Sequence, residues 1–136
     1  MVRPADATGA TILEETHVKY LFLLNRTEDA LPDPGTPEAA AMLAAYTEVT
    51  AAMSAAGVLV DCAPLHPQSA TTTVRVRDGQ TLITDGPAAE IKEQLGGYTI
   101  VECEDLDEAL RWAARFPAAR DASVEIRSIV AAPGPA

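Results

Sequence analysis

The feature that most constrains this chain is its first regular segment, residues 18–24. Its sequence, VKYLFLL, is apolar at most odd and most even positions, so both faces of an extended strand are apolar. That pattern is typical of a central strand covered on each side, not of a strand with one face in water. The chain must therefore adopt a fold in which this strand lies inside a sheet and both sheet faces contact other groups.

A helix and a second strand follow. Thr36 offers a hydroxyl cap, Pro37 occupies the first turn and Gly57 closes the pattern, so residues 36–57 predict a helix. One face of that helix carries an apolar stripe at helical spacing, formed by Met42, Leu43, Tyr46, Val49 and Met53. Residues 58–65 then predict a second strand.

The second half of the chain adds a hairpin and repeats the strand–helix–strand order. Asp78-Gly79 between two alternating runs is a strong short-range signal for a hairpin. The remaining regular segments are strands at 72–77, 80–84, 98–103 and 124–130, and a helix that Asp105 caps and Pro117 ends. The order of elements is therefore β-α-β, a hairpin, then β-α-β.

This order predicts an α+β fold of the ferredoxin-like, split βαβ type with an inserted hairpin. Such a sheet carries its helices on one face, and its other face must meet something else. A second copy of the chain is the economical answer, so we expect a homodimer whose sheets pack face to face. The domain is expected at residues 18–130, with residues 1–17 as a flexible N-terminal extension and residues 131–136 as a flexible tail.

Composition excludes several classes of protein. The 136 residues carry a net charge of −10, which argues against a surface that binds nucleic acid. No apolar run is long enough for a membrane span, and the first residues do not resemble a signal peptide, so a cytoplasmic protein without a membrane partner is expected. Cys62 and Cys103 lack the spacing of a metal site and are interpreted as reduced, small, buried hydrophobic residues. No phosphate-binding motif is present, so no cofactor is expected.

The most unusual segment is TDGPAAEIKEQLGGY at residues 84–98. Asp85 leaves a strand and enters a Gly-Pro turn, where an aspartate either bonds its own turn or takes part in proton transfer. We expect a short helix after Pro87 that Gly96-Gly97 ends. Glu90 and Glu93 would share a face of that helix, but their spacing alone does not indicate a metal site.

At these residues the chain resembles the YCII-related family, in its DGPF subgroup, whose pattern runs close to TDGPFxExKExLGG followed by Phe or Tyr. The resemblance extends over residues 18–130 and implies a dimeric α+β barrel. It also implies similarity to small lyase-like enzymes that use a His–Asp pair. Asp85 stands at the family aspartate, and the resemblance implies a substrate site formed by Gly86, Pro87, Ala88, Lys92 and Tyr98. Ala88 departs from the pattern, because the family has phenylalanine there.

Two histidines can partner Asp85. His66 ends the second strand in the sequence PLHP and can face the same cleft as Asp85. His17, just before the first strand, is the competitor, because histidines of the family's dyads lie near the start of the fold. Three functions remain open: a cofactor-independent acid–base enzyme of lyase, isomerase or cyclase type, a small-molecule-binding protein without turnover, and a regulatory interaction module.

Overall fold

The computed structural model describes residues 17–131. The expected extension and tail fall outside this range, apart from His17 and Ala131. The described part contains six strands and three α-helices, together with two single turns of 3-10 helix. Their bounds are β1 Val18–Arg26, α1 Pro37–Ala55, β2 Leu59–Pro64, β3 Thr72–Arg77, β4 Gln80–Asp85, β5 Gln94–Cys103, α2 Leu106–Ala113, α3 Pro117–Asp121 and β6 Ser123–Ser128.

Four strands form one antiparallel sheet in the order β2-β5-β1-β6. This is the strand order of a ferredoxin-like fold, because the first strand lies beside the last and the third core strand lies beside the first. Strands β3 and β4 pair only with each other and form a separate hairpin. The predicted α+β fold with an inserted hairpin is therefore confirmed.

Local signals in the sequence fix the ends of the elements. The Thr36 hydroxyl accepts a hydrogen bond of 3.2 Å from the backbone amide of Ala39, which caps α1. Asp105 caps α2 in the same way through the amide of Glu108, at 2.9 Å. The hairpin turn places both Asp78 and Gly79 at positive φ, as a two-residue type I′ turn requires.

The core lies between the helices and one face of the four-stranded sheet. Its largest fully buried side chains include Phe22, Met53, Val101 and Phe116. Phe22 and Phe116 meet edge to face, with ring centroids 6.2 Å apart and an interplanar angle of 89°. This contact joins β1 to the segment between α2 and α3, so the core ties together both halves of the repeated β-α-β order.

The segment after the hairpin differs from the expectation. Residues 86–93 contain no helix, and β5 begins at Gln94, so Gly96 and Gly97 lie inside a strand and do not end a helix. Sheet pairing overrides local helix propensity here, because Gly97 pairs with Pro64 of β2 and Leu24 of β1. A Cβ atom on Gly97 would lie 3.0 Å from the Ala63 carbonyl oxygen, so a side chain there would press on the neighbouring backbone.

The opposite face of the sheet is open within residues 17–131. Leu21, Leu23 and Ile100 lie on this face, as their alternation with the buried Tyr20, Phe22 and Val101 shows. Their side chains are partly buried by neighbouring strands and belong to no part of the core. The prediction that one face of β1 packs against helices is confirmed, and no helix of residues 17–131 packs on its other face.

Among residues 17–131, no helix combines the length and the apolar character that a membrane span requires.

Candidate functional site

A large cavity lies between α1 and the helix-bearing face of the sheet. Its volume is about 1040 Å³, and it extends from the strand end at Arg26 to the start of α3. The side chains that form most of its walls are apolar and come from α1, the sheet and the segment before α3: Leu24, Met42, Leu43, Tyr46, Leu59 and Phe116. Clefts of this size and composition are typical sites for small molecules.

The apolar stripe of α1 is divided between core and cavity. Val49 and Met53 are buried against the sheet, as the helical spacing predicts. Met42, Leu43 and Tyr46 instead line the cavity, and the Leu43 side chain is 68% exposed at its rim. An exposed leucine beside an apolar hollow indicates that this half of the stripe contacts something other than the protein core.

Two tyrosines, Tyr46 and Tyr98, line the cavity, but the Tyr98 side chain lies on the open sheet face with Leu23, its pairing partner in β1. Burial raises the pKa of Tyr46, although a hydrogen bond with the Ala118 backbone and the nearby Arg26 cation lower it in part. The Tyr98 hydroxyl donates to Asp61 Oδ2 at 3.2 Å, and the negative charge of that carboxylate raises the Tyr98 pKa. Both phenols therefore remain neutral hydrogen-bonding groups at neutral pH.

Arg26 is the cationic residue of the cavity wall, and its side chain lies across Gly96. A Cβ atom on Gly96 would lie 2.6 Å from Arg26 Cδ and 2.9 Å from Arg26 Nε. Glycine at position 96 thus provides the space that the arginine occupies. One guanidinium nitrogen, Nη2, donates to the Leu65 carbonyl oxygen at 3.3 Å, while the buried Nε has no acceptor in the described chain.

A short polar network connects Arg26 to a second cleft. Arg26 Nη2 lies 3.8 Å from Glu28 Oε2, too far for a hydrogen bond but close enough for an ion pair. The same Glu28 oxygen accepts from the backbone amide of Gln68 at 2.9 Å, and the Glu28 amide donates to Gln94 Oε1 at 3.1 Å. These hydrogen-bonded residues lie between the large cavity and the smaller cleft.

The smaller cleft has a volume of about 420 Å³ and contains His66. Pro87 of the DGP turn, Thr71 and Ile91 also line it, so the structure brings one predicted histidine and one residue of the predicted turn into the same cleft. Asp85 lies next to this cleft but is not part of its lining. Neither the Asp85 carboxylate nor the His66 ring makes a hydrogen bond to another residue of the range 17–131.

The DGP turn is held by backbone groups rather than by the aspartate. The Gly86 amide donates to the Thr71 carbonyl oxygen at 2.7 Å, and the Thr73 hydroxyl donates to the Gly86 carbonyl oxygen at 2.7 Å. Gly86 has a φ of 103°, which explains the need for glycine at this point. The exposed Asp85 carboxylate makes no bond to its own turn and is therefore available to other groups.

The other predicted site residues are spread over the molecule. Tyr98 lines the large cavity, whereas Ala88 and Lys92 are exposed and line neither of the two clefts. His17 precedes β1 at the end opposite Arg26. The nine residue steps from His17 to Arg26 place it roughly 30 Å from the strand end where Arg26 contacts Leu65, next to His66. The structure therefore does not bring His17 to the His66 end of β1.

Sequence reasoning missed Arg26, Glu28 and Tyr46. An arginine at the end of a strand has no distinctive local pattern. A pair of glycines inside a strand was the available signal, because a strand glycine often marks the close approach of another group. In the motif at residues 84–98, Gly96 was interpreted as the end of a helix and was therefore not connected with Arg26.

Thiols and acidic clusters add no metal site in the part of the chain that the structure describes. Residues 17–131 contain no group of three or more His, Cys, Asp or Glu side chains placed to hold a metal ion. Both cysteines are free, as predicted, but Cys62 is only partly buried, contrary to the expectation. Cys103 is buried, which raises the pKa of its thiol to about 11. Cys62 lines the large cavity.

Comparison with known proteins agrees with the fold and leaves the chemistry open. The chain is 48% identical over 58 residues to an uncharacterized protein of Rhizobium meliloti (strain 1021), a stretch that covers 43% of this chain. The match spans about half of that relative, 47% of its length. The family model of the YCII-related domain matches residues 18–132, from the first residue of β1 to beyond the end of β6. The chain therefore belongs to the YCII-related family.

Proposed function

We propose that this protein binds a small, largely apolar molecule in the large cavity between α1 and the sheet. The observation that carries the proposal is the cavity itself, about 1040 Å³ with mainly apolar walls. Burial of an apolar ligand against Met42, Leu43 and Phe116 removes nonpolar surface from water, which is the main driving force for such binding. The Tyr46 hydroxyl and Arg26 supply polar groups that can orient a ligand.

This proposal is tested by filling the cavity from α1. Ala51 is exposed and lines the cavity, whereas Ala41 is exposed on the same helix and does not line it. We expect 1-octanol to shift the methyl NMR signal of Met42 in the wild type and in Ala41→Trp. Ala51→Trp should abolish the shift, because the indole occupies the ligand space. Equal responses of the two variants, or no response of the wild type, would refute the proposal.

Acid–base catalysis is the second candidate function. His66 lines the small cleft with Pro87, and the Gly86 amide bonds Thr71 of the same cleft. Asp85 immediately precedes that turn, and this position in the chain supports a pair between its carboxylate and the His66 imidazole. A cofactor-independent lyase, isomerase or cyclase would use the pair to move a proton on a bound substrate. His17 is the alternative base if His17 of one chain meets Asp85 of a second chain.

Ring-proton NMR of both histidines across pH tests this pair. A carboxylate beside an imidazole favours the protonated ring, so a pairing predicts that Asp85→Asn lowers the pKa of the paired histidine. A response of His66 supports the pair in the small cleft, and a response of His17 supports the alternative. If neither ring responds, Asp85 is not part of a dyad, and ligand binding without turnover remains as the function.

The open face of the sheet bears on how the chain assembles. The open sheet face carries Leu21, Leu23 and Ile100, and we infer that a second copy covers it in a homodimer. Leu23→Glu should convert such a dimer to a monomer in analytical ultracentrifugation. A wild-type monomer at micromolar concentration would contradict the inference. Assignment to the DGPF subgroup likewise rests on the motif at residues 84–98.

A further inference from the structure

The guanidinium of Arg26 is the unusual feature of a cavity whose walls are mainly apolar. Its side chain is 24% exposed and lines the wall at the strand end of the cavity. The other charged residue of the lining, Asp121, is exposed on α3, where water screens its charge more strongly. A partly buried cation beside apolar walls makes one end of the cavity electrostatically different from the rest.

Arg26 retains most of its hydrogen-bonding capacity. An arginine has five N–H donors, and here a single hydrogen bond, to the Leu65 carbonyl oxygen, is made within the described chain. The buried Nε is without an acceptor in the same range, which is a cost that proteins rarely leave uncompensated. Glu28 lies at 3.8 Å and is itself bonded to the amide of Gln68, so it neutralises the guanidinium only in part.

We propose that Arg26 is the anion-binding residue of this cavity and that its ligands are small monocarboxylic acids with an apolar body. The inference rests on the proposed function, that the cavity binds small molecules, and adds the chemical class. The carboxylate would accept from the guanidinium at the strand end, while the hydrocarbon part lies against Met42 and Leu43.

Charge decides between a carboxylate and a more highly charged anion. Arg26 is the cation that lines the cavity, and the chain carries a net charge of −10. A phosphate dianion would meet a single arginine in a negative field, whereas a carboxylate matches the charge and planar geometry of one guanidinium. Alkyl phosphates are therefore expected to bind more weakly than carboxylates of the same chain length.

The test compares octanoate, octanamide and octyl phosphate at constant pH and salt by isothermal titration calorimetry. A hydrogen bond to a charged partner predicts that the wild type binds octanoate about tenfold or more tightly than octanamide. Arg26→Met should abolish that preference. Arg77→Met is the matched control: it removes the same charge from the exposed hairpin, where Arg77 bonds its neighbour's carbonyl, and should retain the preference.

A second variant keeps the test decisive if Arg26→Met fails to fold. Glu28→Gln removes the competing carboxylate, while its amide oxygen can still accept from Gln68. It should strengthen octanoate binding and leave octanamide binding unchanged, whereas Glu102→Gln, an exposed change far along β5, should alter neither. A purely structural role for Arg26 would not produce this selective gain.

The outcomes separate the two proposals. Equal binding of octanoate and octanamide in the cavity overturns the assignment of Arg26 and leaves the proposed binding function intact. Tighter binding of octyl phosphate than of octanoate overturns the choice of carboxylate. Absence of any binding, with no shift of the Met42 methyl signal, overturns the proposed function and this inference together.

Discussion

The contact between Gly96 and Arg26 predicts that Gly96→Ala destabilises the wild type but stabilises the Arg26→Ala variant. In the wild type, a Cβ atom at position 96 would lie 2.6, 2.9 and 3.1 Å from Cδ, Nε and Cγ of Arg26. The arginine must therefore leave its place in Gly96→Ala, at an expected cost of about 1–3 kcal/mol in the free energy of unfolding. In Arg26→Ala the three atoms are gone. Alanine then lowers the conformational entropy of the unfolded chain and should stabilise by about 0.4–1 kcal/mol.

The assay is a double-mutant cycle by urea denaturation of the wild type, the two single variants and the double variant. Summing the two effects, we expect a coupling energy of about 1.4–4 kcal/mol between positions 26 and 96. Gly97→Ala is the comparison, because its Cβ would meet backbone atoms of Ala63 and Pro64, which Arg26→Ala does not remove. An equal cost of Gly96→Ala in both backgrounds would refute the reasoning that the arginine side chain requires this glycine.

Three further predictions concern stability. Phe22→Ala should lower the free energy of unfolding by about 3–5 kcal/mol, because the ring is fully buried against Phe116; a loss under 1 kcal/mol in urea denaturation would contradict the assigned core. Thr36→Ala should cost about 1 kcal/mol in the same assay, through loss of the α1 cap, whereas Thr36→Ser should retain most of the stability. Burial raises the pKa of the Cys103 thiol from 9.0 to about 11. Between these pH values the folded chain keeps the thiol proton, whereas the unfolded chain loses it. Stability should therefore fall as pH rises from about 9 to 11, and Cys103→Ala should flatten the decline between pH 9 and 10; an unchanged slope would show that the thiol is not its source.

The fold was largely predictable because its signals are local. Thr36, Asp105 and the Asp78-Gly79 turn mark boundaries through hydrogen bonds within a few residues, and the structure contains each of them. The order of the strands then follows from the few topologies that short connections allow. The short helix expected before Gly96 was wrong, because pairing of β5 with strands on both sides outweighs a weak local preference for helix.

The candidate site was much less predictable. The large cavity depends on which half of the α1 stripe contacts the sheet, and the spacing of Leu43 and Val49 does not distinguish the two halves. The position of Arg26 over Gly96 depends on the register of β1 with β5, including a shift between Leu24 and Asn25 that no short motif encodes. The sequence did identify His66 and the DGP turn, which share the region of the small cleft.

The placement of the hairpin has a consequence for how chains of this kind can diverge. Pro64 at the end of β2 pairs with Gly97 of β5. The two strands that flank the intervening segment are therefore already hydrogen-bonded to each other where that segment begins and ends. Loop-closure entropy grows slowly with length, by about 0.6 kcal/mol for each doubling. Residues 66–93, which lie outside the four-stranded sheet, can therefore be lengthened, shortened or exchanged as a cassette with little penalty to the pairing of its strands. Because this cassette carries His66, Asp85 and most of the residues that line the small cleft, new chemistry can be acquired here without redesign of the core.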